Sequence, residues 1–274
     1  MRVFLAGDLD LLGTPLVSLL TAAGHEVARP TSDVPLASRS AYLASIGDLK
    51  ADAVISLIGV QGELPEHYRA MRAVNRARAE GTSTLLAAAR RMGATRVVGA
   101  SSFHGYGFRS HGTGTLDETL PFGLTDESRN DSVQKALLTA EQQVRAFGGI
   151  ALRFGHLWGP EHTDVPAIPT RFRGDLPVVH TSDAVRAIVA ALTAGESGAA
   201  YNIVSNDRTN WAGLQRARAS QLGHAAPVEL PDGVIRILAP FAAQVITGTS
   251  LRLSNNRAAS ELNWLPQVSV GGAA

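Results

Sequence analysis

The sequence predicts an α/β protein built on a doubly wound parallel sheet, with a smaller region towards its C-terminus. Three observations carry that expectation. Short apolar runs at residues 2–6, 53–57 and 149–154 lack turn residues, as strands buried on both faces do. Between them lie segments with apolar residues at helical spacing, the alternation that builds parallel β-α-β units. The first run passes straight into Gly7 and then into a helical pattern over residues 11–20, so the chain opens as strand, glycine turn and helix.

The remaining elements follow in order. Gly24 sits where a helix ends on a left-handed glycine. Residues 31–39 are polar and punctuated by proline, and 41–49 read as a short helix. Residues 68–92, rich in Ala, Arg and Leu and ended by Gly93, predict one long helix. Residues 95–100 form the next strand and run into the loop SSFHGYG, after which a Gly/Ser/Thr-rich loop continues to about Asn130. A helix over 132–147, strands over 149–154, 177–179 and 200–204, and a helix over 183–193 complete the sheet. From residue 206 the tail predicts one apolar helix and another near 254–262.

Composition narrows the function. The chain has 274 residues, is 45% hydrophobic and carries a net charge of +1, so a polyanionic partner such as nucleic acid is not implied. With no cysteine, disulfides, thiolate metal sites and a cysteine nucleophile are excluded. The first strand begins at once, without the pattern of a cleaved signal, and no apolar run reaches bilayer length, so a cytoplasmic protein is expected. There are two lysines, Lys50 and Lys135, against 23 arginines. That bias draws attention to each.

The glycine turn is an anion site by construction, because unpaired N–H groups and the helix dipole point the same way. A dinucleotide-binding turn Gly-x-x-Gly-x-x-Gly would place glycine at 7, 10 and 13, but position 10 is Asp10. Two like charges about 4 Å apart repel by roughly 4 kcal/mol at an effective dielectric near 20. Asp10 therefore reads as the N-cap of the first helix, leaving Gly7, Gly13 and the N–H groups of Leu11 and Leu12 to cradle a phosphate.

In order and spacing, RVFLAG, ADAVISLIG, EGTSTLLAAARRMGATRVVGASS, Tyr106–Gly107, LRFGHLWGP, VVHTSDAVRAIVAAL and SNNRAASELNW carry a recognisable signature. The chain resembles the extended short-chain dehydrogenase/reductases, the epimerase/dehydratase-like branch, over nearly its whole length. The resemblance implies a Rossmann-type dinucleotide-binding domain over 1–160, completed by 176–205. Residues 161–175 and 206–274 would form a small substrate-binding or lid region. It also implies a nicotinamide dinucleotide at the strand ends, near Gly7 and Gly59, and a small-molecule carbonyl or hydroxyl substrate.

The catalytic set implied by the resemblance is a Ser/Thr, a Tyr-x-x-x-Lys pair and an Asn. Ser102 falls on the first position and would polarise the carbonyl; Lys135 falls on the lysine and would hold the nicotinamide ribose. The tyrosine is replaced by Asp131 and the asparagine by Arg78, with Asn75 one turn earlier. Asp131 reads as a helix cap paired with Lys135 across one turn, and a carboxylate ionised at pH 7 has no proton to give. The proton would come from His156, which replaces a pocket-lining residue, from His104 or Tyr106, or from the substrate. A ketone beside a phenolic hydroxyl can supply its own proton. This points to aromatic polyketides and to a resemblance with ketoreductases of angucyclinone, simocyclinone-type pathways.

Other readings are more limited. The segment with Pro166, Pro169 and Pro177 around RFRGD suits either a compact lid or a solvated loop. No carboxylate stands near Thr31 to hold a ribose 2′-hydroxyl, while Arg29, Ser32 and Arg39 lie close by; this favours NADP(H) over NAD(H), against a mild contrary pull from Asp8. Glu161, His162 and Asp164 resemble metal ligands without a second cluster to complete a site. The sequence thus predicts an NADPH-dependent ketoreductase, monomeric or homodimeric. Its rivals are a non-catalytic NAD(P)-binding sensor or scaffold and a sugar-nucleotide epimerase or dehydratase.

Overall fold

The structure, a computed structural model, describes residues 1–30 and 34–271. Strand β1 (Arg2–Gly7) leads through a turn into helix α1 (Gly13–Ala22) and strand β2 (Glu26–Ala28). Helix α2 (Arg39–Ile46), strand β3 (Ala53–Leu57) and helix α3 (Tyr68–Arg76) follow, then a π-helical turn Ala77–Gly81 and helix α4 (Thr82–Met92). Strand β4 (Arg96–Ser102) ends in the 3-10 turn Phe103–Tyr106; strand β5 (Ser110–Leu116), helix α5 (Asp131–Ala146) and strand β6 (Ile150–Phe154) come next. Short strands β7 (His156–Trp158), β8 (Ile168–Pro169) and β9 (Val178–His180) precede helix α6 (Thr181–Ala194) and strand β10 (Ala200–Ile203). The tail holds α7 (Trp211–Leu222), β11 (Glu229–Leu230), α8 (Asp232–Leu238), α9 (Ala242–Gly248), β12 (Ser250–Leu253) and α10 (Asn256–Leu262).

Six strands form one parallel sheet in the order β10-β6-β4-β3-β1-β2, the doubly wound arrangement read from the sequence. Its apolar runs are buried on both faces: α1 and α6 cover one with Leu12, Leu16, Leu20, Val185 and Ile188. On the other face α2 and α4 pack Tyr42, Ile46, Leu85 and Met92 against β1, β3 and β4. A third core lies off the sheet, where Phe103, Tyr106 and Phe122 meet Trp211, Phe241 and Leu251 of the tail.

Four details depart from the sequence reading. The helix expected over 68–92 is broken by the π-helical turn, which no local pattern of Ala and Arg announces. The loop running to Asn130 contains β5, a strand of glycine, serine and threonine with little apolar content, paired in parallel with β12. Strand β9 pairs with β7 rather than joining the main sheet. The tail contains α7, α8 and α9, not one apolar helix. For β5 and β9 the pairing partner is distant in sequence, and periodicity records only near neighbours.

One buried ionic cluster locks these layers. Arg153 of β6 donates two hydrogen bonds to the Glu141 carboxylate of α5 (3.0 and 2.6 Å) and one to the Tyr106 hydroxyl (2.7 Å). Tyr106 donates in turn to Asn202 Oδ1 of β10 at 2.9 Å, and the guanidinium lies 3.9 Å above the centre of the Phe122 ring. Arg153 is 3% exposed, so losing its carboxylate strands a charge. Glu141→Ala should lower unfolding free energy in urea by about 3–5 kcal/mol, whereas the double change Glu141→Leu with Arg153→Met should recover most of it.

Candidate active site

In an open α/β sheet the ligand crevice lies at the carboxyl ends of the strands, where strand order reverses. Here that point falls between β1 and β3, with Gly7 paired opposite Leu57. Gly7 adopts φ of +106°, and a Cβ there would sit 2.5 Å from the Ile58 nitrogen, so only glycine lets the two backbones approach. Beside it opens a cleft of about 890 Å³ whose walls include Gly7, Asp8, Arg29, Leu36, Ile58, Gly59 and Arg76. A side-chain-free backbone approach, apolar walls and two arginines suit a dinucleotide.

The cradle predicted around Asp10 is arranged differently. Helix α1 begins at Gly13 with Leu12 at the cap position and no side-chain cap bond, so Asp10 is not its N-cap. The Asp10 N–H instead turns back to Asp8 Oδ1 at 3.3 Å. Short-range turn geometry satisfies this donor before the helix starts. Asp10 and Leu11 border a neighbouring cleft of about 370 Å³ with Asp8, Glu63, Glu161 and Asp164. Leu12 is fully buried, and Gly13 packs so closely on Leu9 that a Cβ would lie 2.7 Å from the leucine Cβ. Arg29 is exposed on the large cleft; Arg39 donates to Ser83 Oγ at 3.2 Å; Thr31 and Ser32 lie outside the described residues.

A second, small cavity of about 40 Å³ lies at the ends of β4 and β6 and shares Gly59, Val60 and Gln61 with the large cleft. Arg78, Ser102, His104 and His156 line it together. Ser102 ends β4 opposite Phe154, and its Oγ lies 2.8 Å from His104 Nδ1. With the shared hydrogen on Oγ, the ring offers Nε2–H; with it on Nδ1, the serine hydroxyl is left to donate. Either tautomer gives a ligand one hydrogen. The His104 ring is packed between Phe103 and Phe108, with centroids 4.1 and 5.1 Å away. Burial, then the positive charge of Arg78, then His156 push its pKa down to about 3. For His156, burial followed by His162 and Arg218 has the same effect, again to about 3.

Both histidines are therefore neutral at pH 7. A neutral ring can donate a hydrogen bond, but it holds no imidazolium proton to transfer. Tyr106 is no donor to this cavity either: its hydroxyl is engaged by Arg153 and Asn202, and burial raises its pKa. Lys135 sits on the exposed side of α5 and is not among the residues lining the cavity. Asp131 opens α5 rather than capping it, and Asn130 holds the cap position. Its carboxylate accepts from the N–H groups of Asp126 (3.1 Å) and Ser128 (3.4 Å), nearby donors that take the place of the expected pairing with Lys135. Asn75 donates to Ser132 across α3 and α5 at 3.4 Å. His162 lies 2.8 Å from the Gly62 carbonyl, and Glu161 accepts from Thr181 at 3.0 Å.

Sequence reasoning saw Arg78 only as a departure from the expected asparagine. The structure puts it in the cavity with Ser102, His104 and His156. Met71 and Phe241 also line the cavity, the latter from the far end of the chain, and neither carried a local signal.

The profile of the NAD-dependent epimerase/dehydratase family matches residues 3–173. The chain belongs to that family. Membership makes it an NAD(P)(H)-dependent oxidoreductase, in agreement with the crevice at Gly7. A 3-diazoavenalumate denitrifying reductase from a Streptomyces species is 28% identical, across 97% of this chain and 96% of that protein. Among solved structures, human epimerase family protein SDR39U1 with NADPH superposes with a TM-score of 0.77 at 20% identity, covering 99% and 97% of the two chains. UDP-glucose 4-epimerase of Thermotoga maritima with UDP-glucose gives 0.76 at 17% identity, covering 99% and 95%. These structures share the fold. Among the described residues no helix is long and apolar enough to cross a membrane.

The neutral histidines make stability depend on pH. Native His156 stays unprotonated where an unfolded imidazole, with a pKa near 6.5, takes a proton, so stability is complete above that value and falls as pH drops towards about 3. Urea unfolding at pH 7 and pH 5 should show a loss to which His156 contributes about 2 kcal/mol. His156→Gln should shrink that loss correspondingly.

Proposed function

We propose that the protein is an NADPH-dependent ketoreductase for a bulky aromatic ketone that provides its own proton. The observation that carries this reading is a cavity rich in hydrogen-bond donors and poor in acids. Ser102 and His104, in contact with each other, would hold a carbonyl oxygen, and both histidines are held neutral. A relative named as a reductase supports the reductive direction.

Gly7, Arg29 and the walls of the large cleft would hold the dinucleotide, and this cleft meets the small cavity at Gly59, Val60 and Gln61. When bound, the reduced nicotinamide supplies the hydride. Ser102 and His104 would orient the substrate carbonyl, and as the C=O π pair moves onto oxygen their hydrogen bonds would hold the developing alkoxide. The resulting alkoxide takes the proton of an adjacent phenol, and the phenolate is reprotonated from water. His156 acts as a neutral hydrogen-bond donor at the same oxygen.

The test compares 1-hydroxy-2-acetonaphthone with its O-methyl ether in NADPH oxidation assays. The free phenol should be reduced about 10²–10⁴ times faster, the usual worth of a positioned acid. Equal rates would end the substrate-proton reading, and binding of NADPH without oxidation by any ketone would favour the sensor or scaffold.

Cofactor choice has a separate check. Arg29 and Arg76 on the cleft favour the 2′-phosphate, so calorimetric titration should show tighter binding of NADPH than of NADH. Arg29→Ala should reduce that preference by about tenfold, since a charge-assisted hydrogen bond is worth roughly 1.5–3 kcal/mol.

A further inference from the structure

Arg78 is 5% exposed and sits on the π-helical turn between α3 and α4. Its Nη2 donates to the Gly59 carbonyl at 2.9 Å, while Nη1 is buried without a partner. Gly59 makes room for it: a Cβ at residue 59 would lie 2.6 Å from Arg78 Nε. The chain's other deeply buried guanidiniums beside carboxylates are answered, Arg153 by Glu141 and Arg218 by Glu63 at 3.6 Å. Among the described residues Arg78 has no carboxylate within ion-pair distance. A buried charge with no counter-ion is a standing destabilisation, and it is tolerated where a negative group comes to meet it.

The cavity gives that group a place. Arg78, Ser102 and His104 line it together, and His104 Nε2 is likewise buried without a partner. Glu63, also on the cavity wall, is directed to Arg218. Lys135, the cation on the sequence position implied for catalysis, does not line the cavity. One helical turn of π geometry shifts the facing of the residues it contains, and such turns recur at functional sites.

We propose that Arg78 is the catalytic cation of this site, holding the carbonyl oxygen of the substrate as that oxygen becomes an alkoxide. The assignment rests on the ketoreductase reading for the reacting group, but not for its preference for an anion. Ser102 and His104 hold the neutral carbonyl; Arg78 strengthens its contact only as charge develops, which is the condition for accelerating the step. The same preference selects ligands: an aromatic carboxylate, carrying its charge where the alkoxide forms, should bind better than the isosteric amide.

The experiment uses the full chain with NADP⁺ bound and two probes, 2-naphthoate and 2-naphthamide, titrated calorimetrically. Wild type should prefer the carboxylate by about tenfold or more, and Arg78→Met should lose that preference. With 1-hydroxy-2-acetonaphthone and NADPH, Arg78→Met should lower kcat by about 10²–10³ while the dissociation constant for NADPH stays within about threefold; Arg78→Lys should restore part of the rate. Unchanged kcat in Arg78→Met, or weaker NADPH binding with kcat retained, would overturn the proposal, the latter making Arg78 a cofactor anchor. Should Arg78→Met fail to fold, Arg78→Lys and the wild-type carboxylate-to-amide ratio decide, and equal affinity for the two probes overturns it. If wild type reduces no ketone yet prefers the carboxylate through Arg78, the reductase reading fails and the anion-holding role stands.

Discussion

The contact on which most of this structure depends is the buried pairing of Arg153 with Glu141. A guanidinium on a central strand would be intolerable alone, and its answer comes from α5, with Tyr106 completing the shell. Because Tyr106 also reaches Asn202, one side chain fixes a helix, a strand and the turn after β4. That turn carries His104. The small cavity at Ser102 is thus braced by a charge cluster that lies outside its lining.

The sheet was legible because its evidence is local. Residues 53–57 are apolar without interruption and form β3 as read; Gly7 follows an apolar run and has the positive φ that its position suggested. What escaped was settled by turn geometry or by packing across distance. Asp10 looked like a cap because aspartate favours caps, yet the turn formed by residues 10–12 delays the helix to Gly13. Lys135 matched a spacing, but spacing fixes a position on a helix and says nothing of how that helix rolls against the sheet. Arg78 shows the same limit from the other side. Read as a lost asparagine, it is a charge carried into the cavity by an irregular turn.

The site that results is specialised in an unusual direction. Burial keeps both histidines neutral, while the guanidinium keeps its charge: desolvation brings Arg78 down only to about 10, still far above neutrality. The cavity therefore stabilises negative charge without offering an acid. On the proposed reading, chemistry that builds up an oxyanion is favoured there.

The pairing of β5 with β12 has a consequence for how the molecule comes into being. The wall that carries Phe103 and Tyr106 shares its core with Phe241 and Leu251, close to the end of the chain. The β1–β3 pairing joins residues within 3–57, while the cleft beside it also uses Ala73, Val74, Arg76 and Ala77. The reactive cavity must wait for nearly the whole polypeptide. Long-range parallel pairing is slow to form and leaves apolar surface open meanwhile. A chain still short of residue 253 therefore lacks the strand that pairs with β5 and leaves part of this core uncovered.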